Sequence, residues 1–133
     1  MSRENVDLAY RMVDAFNLRD IDSFLALCDP DIEYFSHLVE LEGGAPYCGH
    51  DGIRSWWESL LAFSSDFRAE IEEVRDLGEI TVARQRAHGH GMGSNVPLEQ
   101  TQWGVAEWRH GKAVWGGVFL SEAEALEAAG LRE

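Results

Sequence analysis

The chain has 133 residues, 45% of them hydrophobic, which is the size and composition of one globular domain, so we expect a single domain over residues 1–133. Its formal charge of −13, from 24 acidic against 11 basic residues, disfavours binding to nucleic acid or to an anionic membrane surface. No apolar run is long enough to cross a bilayer and no secretory stretch is present, so we expect a cytoplasmic location.

The N-terminal half predicts three helices and a strand. Apolar residues at helical spacing predict the first helix over 4–18. A short second helix is expected to begin after Asp20 as its N-cap and to end before Pro30. A strand over 31–36 follows, and the third helix is predicted to begin near Asp51, after a glycine-rich loop.

The C-terminal half predicts a meander of strands and a last helix. The extended stretches cover 67–77, 80–92, 96–109 and 113–120. Gly93-Ser94-Asn95 suits a three-residue hairpin loop between the second and third of them. Ser121 and Glu124 have capping-box spacing, and Gly130 is expected to end the final helix. Helices followed by an antiparallel meander predict an α+β fold.

Four short segments carry further information through their order along the chain, namely Asn17–Asp22, Gly49–Ile53, Trp108–Lys112 and Glu122–Leu131. In this order they resemble the NTF2-like superfamily and its SnoaL-like, polyketide cyclase-like branch. The resemblance implies a cystatin-like cone, in which a strongly curved antiparallel sheet wraps around three helices from the N-terminal half, with a short C-terminal helix. It also implies a pocket inside the cone and, in many members, a homodimer formed through the outer sheet face.

The faces of the sheet follow from the hairpin. With a three-residue loop, Met92 pairs with Val96 and Arg84 with Gly104, so the even residues of both strands share a face. The resemblance favours the even face inside the cone. The odd face would then expose apolar residues, and we expect a homodimer through Trp103, Val105, Trp115 and Phe119. The alternative is a solvated even face, with the aromatic odd face forming the core.

The even face then supplies a candidate ligand site. Its residues, with contributions from neighbouring elements, are Tyr34, Ser36, Trp57, Arg84, Arg86, His88, Gln102 and Trp108. Two buried arginines would require an anion, so the pocket suits a cyclic or aromatic compound with an anionic or carbonyl group. If the protein is an enzyme, His88 is the candidate acid–base group and Arg84 the stabiliser of an oxyanion.

The resemblance also bears on which reactions are expected. The ketosteroid-isomerase landmarks fall on Met12, Ser36 and Gly104, and none of these side chains can act as the required acid or base. A binding protein is therefore favoured over a lyase, isomerase or cyclase, and both over an interaction module that uses only the outer sheet. A metal site at His88 and His90 would need further ligands, such as His37 or His50, and we expect neither metal nor cofactor.

Overall fold

The computed structural model describes residues 2–37, 44–91 and 96–132. The predicted hairpin loop Gly93–Asn95 lies outside these residues. The elements are α1 (Ser2–Asn17), α2 (Ile21–Ala26), β1 (Cys28–Ser36), β2 (Tyr47–Cys48), α3 (Gly49–Phe63), β3 (Arg68–Asp76), β4 (Ile80–His90), β5 (Pro97–Arg109), β6 (Lys112–Phe119) and α4 (Glu122–Arg132).

The α+β prediction is confirmed, with three helices before the meander and one after it. The strands form one curved, open sheet in the order β2-β1-β6-β5-β4-β3. All neighbouring strands are antiparallel except β1 and β6, which are parallel, so the sheet is mixed where the sequence predicted an antiparallel one. The long segment between β1 and β6 explains this, because a crossover of that length can return the chain in either direction.

The predicted helix ends are partly observed. Asp20 caps α2, accepting a hydrogen bond from the backbone N–H of Ser23 at 3.1 Å. Ser121 Oγ accepts from the backbone N–H of Glu124 at 3.1 Å, as a capping box requires. Gly130 does not end α4, which continues to Arg132, because a glycine in the last turn is tolerated at a modest cost.

Helices cover both faces of the sheet. On the inner face, α1, α2 and α3 enclose the larger hydrophobic core, which includes Phe16, Phe24 and Trp56. On the outer face, α4 lies over a second core that contains Trp115 and Phe119. The buried alanines of α4, Ala125 and Ala129, are one helical turn apart and allow the helix to approach the sheet closely.

The predicted register of the β4–β5 hairpin is wrong by one residue. Arg84 pairs with Trp103 rather than with Gly104, and Gln85 pairs with Gln102. His90 pairs with Pro97, so the connection holds residues 91–96, an even number, where a three-residue loop had been assumed. Because strand side chains alternate, this single step places the even residues of β4 on the same face as the odd residues of β5.

Candidate functional site

A cavity of about 80 Å³ lies between the sheet and the helices. Aromatic side chains from the helices and from the sheet side form its walls. They are Phe16, Phe24, Tyr34, Trp56, Phe67 and Trp108. The volume is below the roughly 300–1,000 Å³ of sites for drug-sized ligands, so the cavity as it stands fits a compact molecule. Met12 lies at its border and has an unbranched side chain that can move to admit a larger one.

The cavity opens between α1 and β5. Among its lining residues, Met12 and Val13 of α1 and Gly104 and Ala106 of β5 are partly exposed, whereas the others are buried. Against the sheet, helix α1 packs mainly on β3 and to a smaller extent on β4, which leaves the neighbouring strand β5 accessible along this side. A ligand could therefore enter without separating the helices from the sheet.

The polar groups at the cavity come from the centre of the sheet and from α3. Gln102 is 3% exposed, and its Nε2 donates a hydrogen bond to Oε1 of Gln85 at 2.8 Å. The other atom of that amide, Gln102 Oε1, is buried and has no hydrogen-bond partner among the described residues. The indole Nε1 of Trp56, a residue that is 4% exposed, is also buried and has no partner in the part of the chain that the structure describes. Unpaired polar atoms of this kind are costly, and at a cavity they mark positions that a ligand can satisfy.

A second buried hydrogen bond stiffens the cavity wall. Trp108 Nε1 donates to Thr81 Oγ1 at 3.0 Å, between residues that are both buried. This bond explains why Thr81, a polar residue, is found in the inner core. It also fixes the indole ring of Trp108 against the cavity.

The groups around the cavity that could release a proton stay neutral at ordinary pH. Burial raises the pKa of the Cys28 thiol to about 12 and raises the pKa of the Tyr34 phenol well above its ordinary value. Among the described residues that line the cavity there is no carboxylate, histidine, lysine or arginine. The described lining therefore offers hydrogen bonds and apolar contact rather than a general base or a fixed charge.

Three of the predicted ligand residues, Tyr34, Gln102 and Trp108, do border this cavity. Ser36 is buried but is not part of the described lining. Trp57, which was also predicted, packs inside the core instead. Its ring lies 4.8 Å from that of Phe16 and 5.2 Å from that of Phe24, measured between centroids.

The predicted position of Arg84, Arg86 and His88 inside the cone is wrong. The register places them on the outer face, where they pair with acidic residues of β3 and β5. Arg86 Nη1 lies 2.8 Å from Glu99 Oε1, and Arg84 Nε lies 3.4 Å from Glu72 Oε1. His88 Nε2 lies 3.2 Å from Glu70 Oε1, close enough for an ion pair but without hydrogen-bond geometry.

The aromatic residues predicted to be exposed on the outer face are covered in the chain itself. Trp115 is 6% exposed, Phe119 is 7% exposed and Val105 is also buried, because α4 packs over them. Trp103 is partly buried against the same cluster. The expected exposed patch is therefore absent at these residues. The sequence analysis did not predict that α4 would cover them.

The histidines suggested as metal ligands do not converge. His90 Nδ1 lies 2.6 Å from Asp66 Oδ2, and His50 Nε2 lies 2.9 Å from the carbonyl oxygen of Cys28. Within the described ranges, no group of three or more His, Cys, Asp or Glu residues could hold a metal ion.

Two important lining residues were not predicted. The spacing of Ile53, Trp56, Trp57 and Leu60 places both tryptophans on the buried stripe of α3, so periodicity alone could not show which of them borders the cavity. Gln85 was assigned to the wrong face by the register error, and no local feature of the sequence marks it as a partner of Gln102.

A curved six-stranded sheet that holds a cavity under three helices defines the NTF2-like class of α+β proteins. Within that class, the sequence model of the family described as SnoaL-like domain matches residues 9–115. The chain therefore belongs to this family. No curated protein sequence matches the chain. None of the described helices has the length and apolar character to cross a bilayer.

Solved structures of low sequence identity share the fold. Wild-type IdmH, a putative polyketide cyclase from Streptomyces antibioticus, is 23% identical with a TM-score of 0.75, covering 94% of this chain and 97% of IdmH. An NTF2-like protein of unknown function from Burkholderia pseudomallei is 19% identical with a TM-score of 0.78, over 93% and 95% of the two chains. TerC, co-crystallised with polyporic acid, is 18% identical with a TM-score of 0.76, over 93% and 96%.

Proposed function

We infer that the chain binds a compact, mainly apolar cyclic molecule in the cavity between α1 and β5. The observation that carries this inference is that an aromatic-walled cavity borders a buried amide with an unpartnered oxygen, that of Gln102. Apolar walls with a few convergent polar groups are the usual composition of a small-molecule site. The predicted anionic ligand is not retained, because the arginines that would bind it lie on the opposite face of the sheet.

A cyclase-type reaction in the same cavity is the second candidate. Family membership favours it, since IdmH, a structural neighbour, is described as a putative polyketide cyclase. Because the described lining has no carboxylate or histidine, such a reaction would rely on positioning and hydrogen bonding of the substrate. His88 and Arg84 have no part in this candidate reaction, because both lie on the outer face of the sheet.

Thermal shift with benzyl alcohol and cyclohexanone tests the binding function. A ligand at about 100 times its Kd adds about 2.7 kcal/mol to the stability of the folded state, which raises Tm by several degrees. Ala106→Leu adds bulk at the mouth of the cavity and should abolish the shift, whereas Ala123→Leu makes the same change at an exposed position of α4 and should preserve it. An undiminished shift in Ala106→Leu would place the ligand elsewhere.

The homodimer and the cytoplasmic location stay predictions. A dimer would have to use a surface other than the buried parts of Val105, Trp115 and Phe119. Sedimentation velocity at several concentrations would determine the oligomeric state.

A further inference from the structure

Within residues 2–37, 44–91 and 96–132, two buried atoms of cavity-lining residues lack a hydrogen-bond partner, and they differ in the partner that they require. Trp56 Nε1 carries a hydrogen and can only donate, whereas Gln102 Oε1 can only accept. Both residues line the same cavity, and both side chains are more than nine-tenths buried, at 4% and 3% exposed. A hydroxyl group can satisfy either atom, because it both accepts and donates. A carbonyl group can satisfy only the indole N–H.

Charge complementarity also restricts the ligand. The described lining has no cation to compensate a buried carboxylate and no acid to compensate a buried ammonium. The nearest arginines along the strand, Arg84 and Arg86, lie on the other face and are already paired with Glu72 and Glu99. The acidic surface of the chain, with a formal charge of −13, further disfavours entry of an anion.

We propose that the cavity selects uncharged compounds that carry a hydroxyl group on a compact ring, with Trp56 Nε1 and Gln102 Oε1 as the atoms that recognise it. The proposal rests on the proposed binding function and adds the chemical class of the ligand. It predicts an order of affinity in which the hydroxyl compound binds best, a carbonyl or unsubstituted ring binds less well, and a carboxylate is excluded.

Phenol, toluene and benzoate test this order, because they share one ring and differ in a single substituent. Calorimetric titration of the wild-type chain at neutral pH should show phenol binding about tenfold more tightly than toluene, the effect of one added hydrogen bond, with no measurable binding of benzoate. Equal affinity for phenol and toluene, or binding of benzoate as tight as that of phenol, would overturn the ligand class and leave the binding function standing.

Variants identify the atoms involved. In Trp56→Phe and in Gln102→Met, the ratio of phenol to toluene affinity should fall severalfold, while toluene still binds. Gln100→Met, at an exposed position of β5, is the matched control and should keep the wild-type ratio. Far-UV circular dichroism checks whether each variant is folded. If either Trp56→Phe or Gln102→Met does not fold, the affinity ratio measured in the other variant tests the assignment. An unchanged ratio in every folded variant would contradict the assignment.

One further variant distinguishes a cavity that is too small for these compounds from a cavity that does not bind them at all. Met12→Ala widens the mouth of the cavity and should admit phenol and toluene more readily, with phenol still the tighter ligand and benzoate still excluded by its charge. If no compound binds to the wild type or to Met12→Ala, both the ligand class and the proposed function are wrong.

Discussion

Gln85 and Gln102 face each other across β4 and β5, and together they are the principal polar feature of the inner sheet. Gly104 completes their surroundings, because a Cβ atom at this position would lie 2.6 Å from Gln85 Nε2. The absence of a side chain at Gly104 therefore leaves space for the Gln85 amide that accepts the hydrogen bond from Gln102. Gly104, one of the three ketosteroid-isomerase landmarks, therefore accommodates a neutral amide pair here instead of an acid or base.

Gly104→Ala should displace the Gln85 amide and weaken this pair. The expected cost is about 1 kcal/mol of unfolding free energy, the value of one hydrogen bond, measured by urea denaturation. The matched control is Gly130→Ala in α4, where a Cβ atom would meet nothing within 4 Å. The control should stabilise the chain by up to about 1 kcal/mol, and an equal loss in both variants would contradict the account.

Thr81→Val tests the hydrogen bond that holds Trp108. The substitution keeps the shape of the side chain but leaves the buried Trp108 N–H without its acceptor, at a cost of about 1–3 kcal/mol. Thr101→Val, at an exposed position of β5, should change the stability by less than about 0.5 kcal/mol. The two unfolding midpoints in urea provide the comparison, and similar values for both variants would argue against the bond.

At the scale of elements, Asp66 joins the segment after α3 to the end of β4. Its carboxylate accepts from the backbone N–H of His90 at 2.8 Å and lies 2.6 Å from the Nδ1 atom of the same residue. These hydrogen bonds lower the pKa of Asp66 from 3.8 to about 2. A carboxyl group with a lowered pKa in the folded state stabilises the fold above its unfolded pKa, and this contribution is lost as the pH falls through the folded value.

The stability difference between wild type and Asp66→Asn should therefore be complete above about pH 4 and should shrink as the pH falls towards about 2. Thermal unfolding of both proteins across this range measures it. Asp7→Asn removes the same charge from an exposed position on α1 and serves as the control. A difference for Asp66→Asn that does not depend on pH would contradict the role of the His90 hydrogen bonds.

Helix α4 is an integral part of the fold because it covers the outer core. Trp115→Glu would place a carboxylate between the sheet and this helix, where Trp115 is 6% exposed. We expect a loss of several kcal/mol of unfolding free energy, measured by urea denaturation. Leu120→Glu, at a position that is 46% exposed, should cost far less. A stable, folded Trp115→Glu chain would show that α4 does not seal this face.

At the scale of the whole molecule, periodicity predicted the elements but could not determine which residues face each other. The apolar stripes of α1 and α3 and the four extended stretches were sufficient to predict the α+β class, whereas the family was predicted from the resemblance of four short segments. The cavity walls at Tyr34, Gln102 and Trp108 were also predicted. The positions of Arg84, Arg86 and His88 were not, because strand faces alternate and one misplaced residue in the assumed loop reverses them.

The cover provided by α4 could not be predicted for a different reason. Alternation shows that a strand has an apolar face, but it does not identify what buries that face. Trp115 and Phe119 are consistent with either a partner chain or a helix of the same chain, and the structure places α4 over them. The hydrogen bond between Gln85 and Gln102 is similarly a product of tertiary structure, since 17 positions separate the two residues along the chain.

The central claim is that a ligand binds inside the cone against Trp56 and Gln102 rather than on the charged outer face. Two-dimensional ¹H–¹⁵N spectra recorded during a titration with phenol test this claim directly, because each tryptophan contributes one indole N–H signal. We predict a large, saturable shift of the Trp56 indole signal and the Gln102 side-chain amide signals, with little change at Trp115 beneath α4. An unmoved Trp56 signal, together with shifts confined to Arg84, Arg86 and His88, would contradict it.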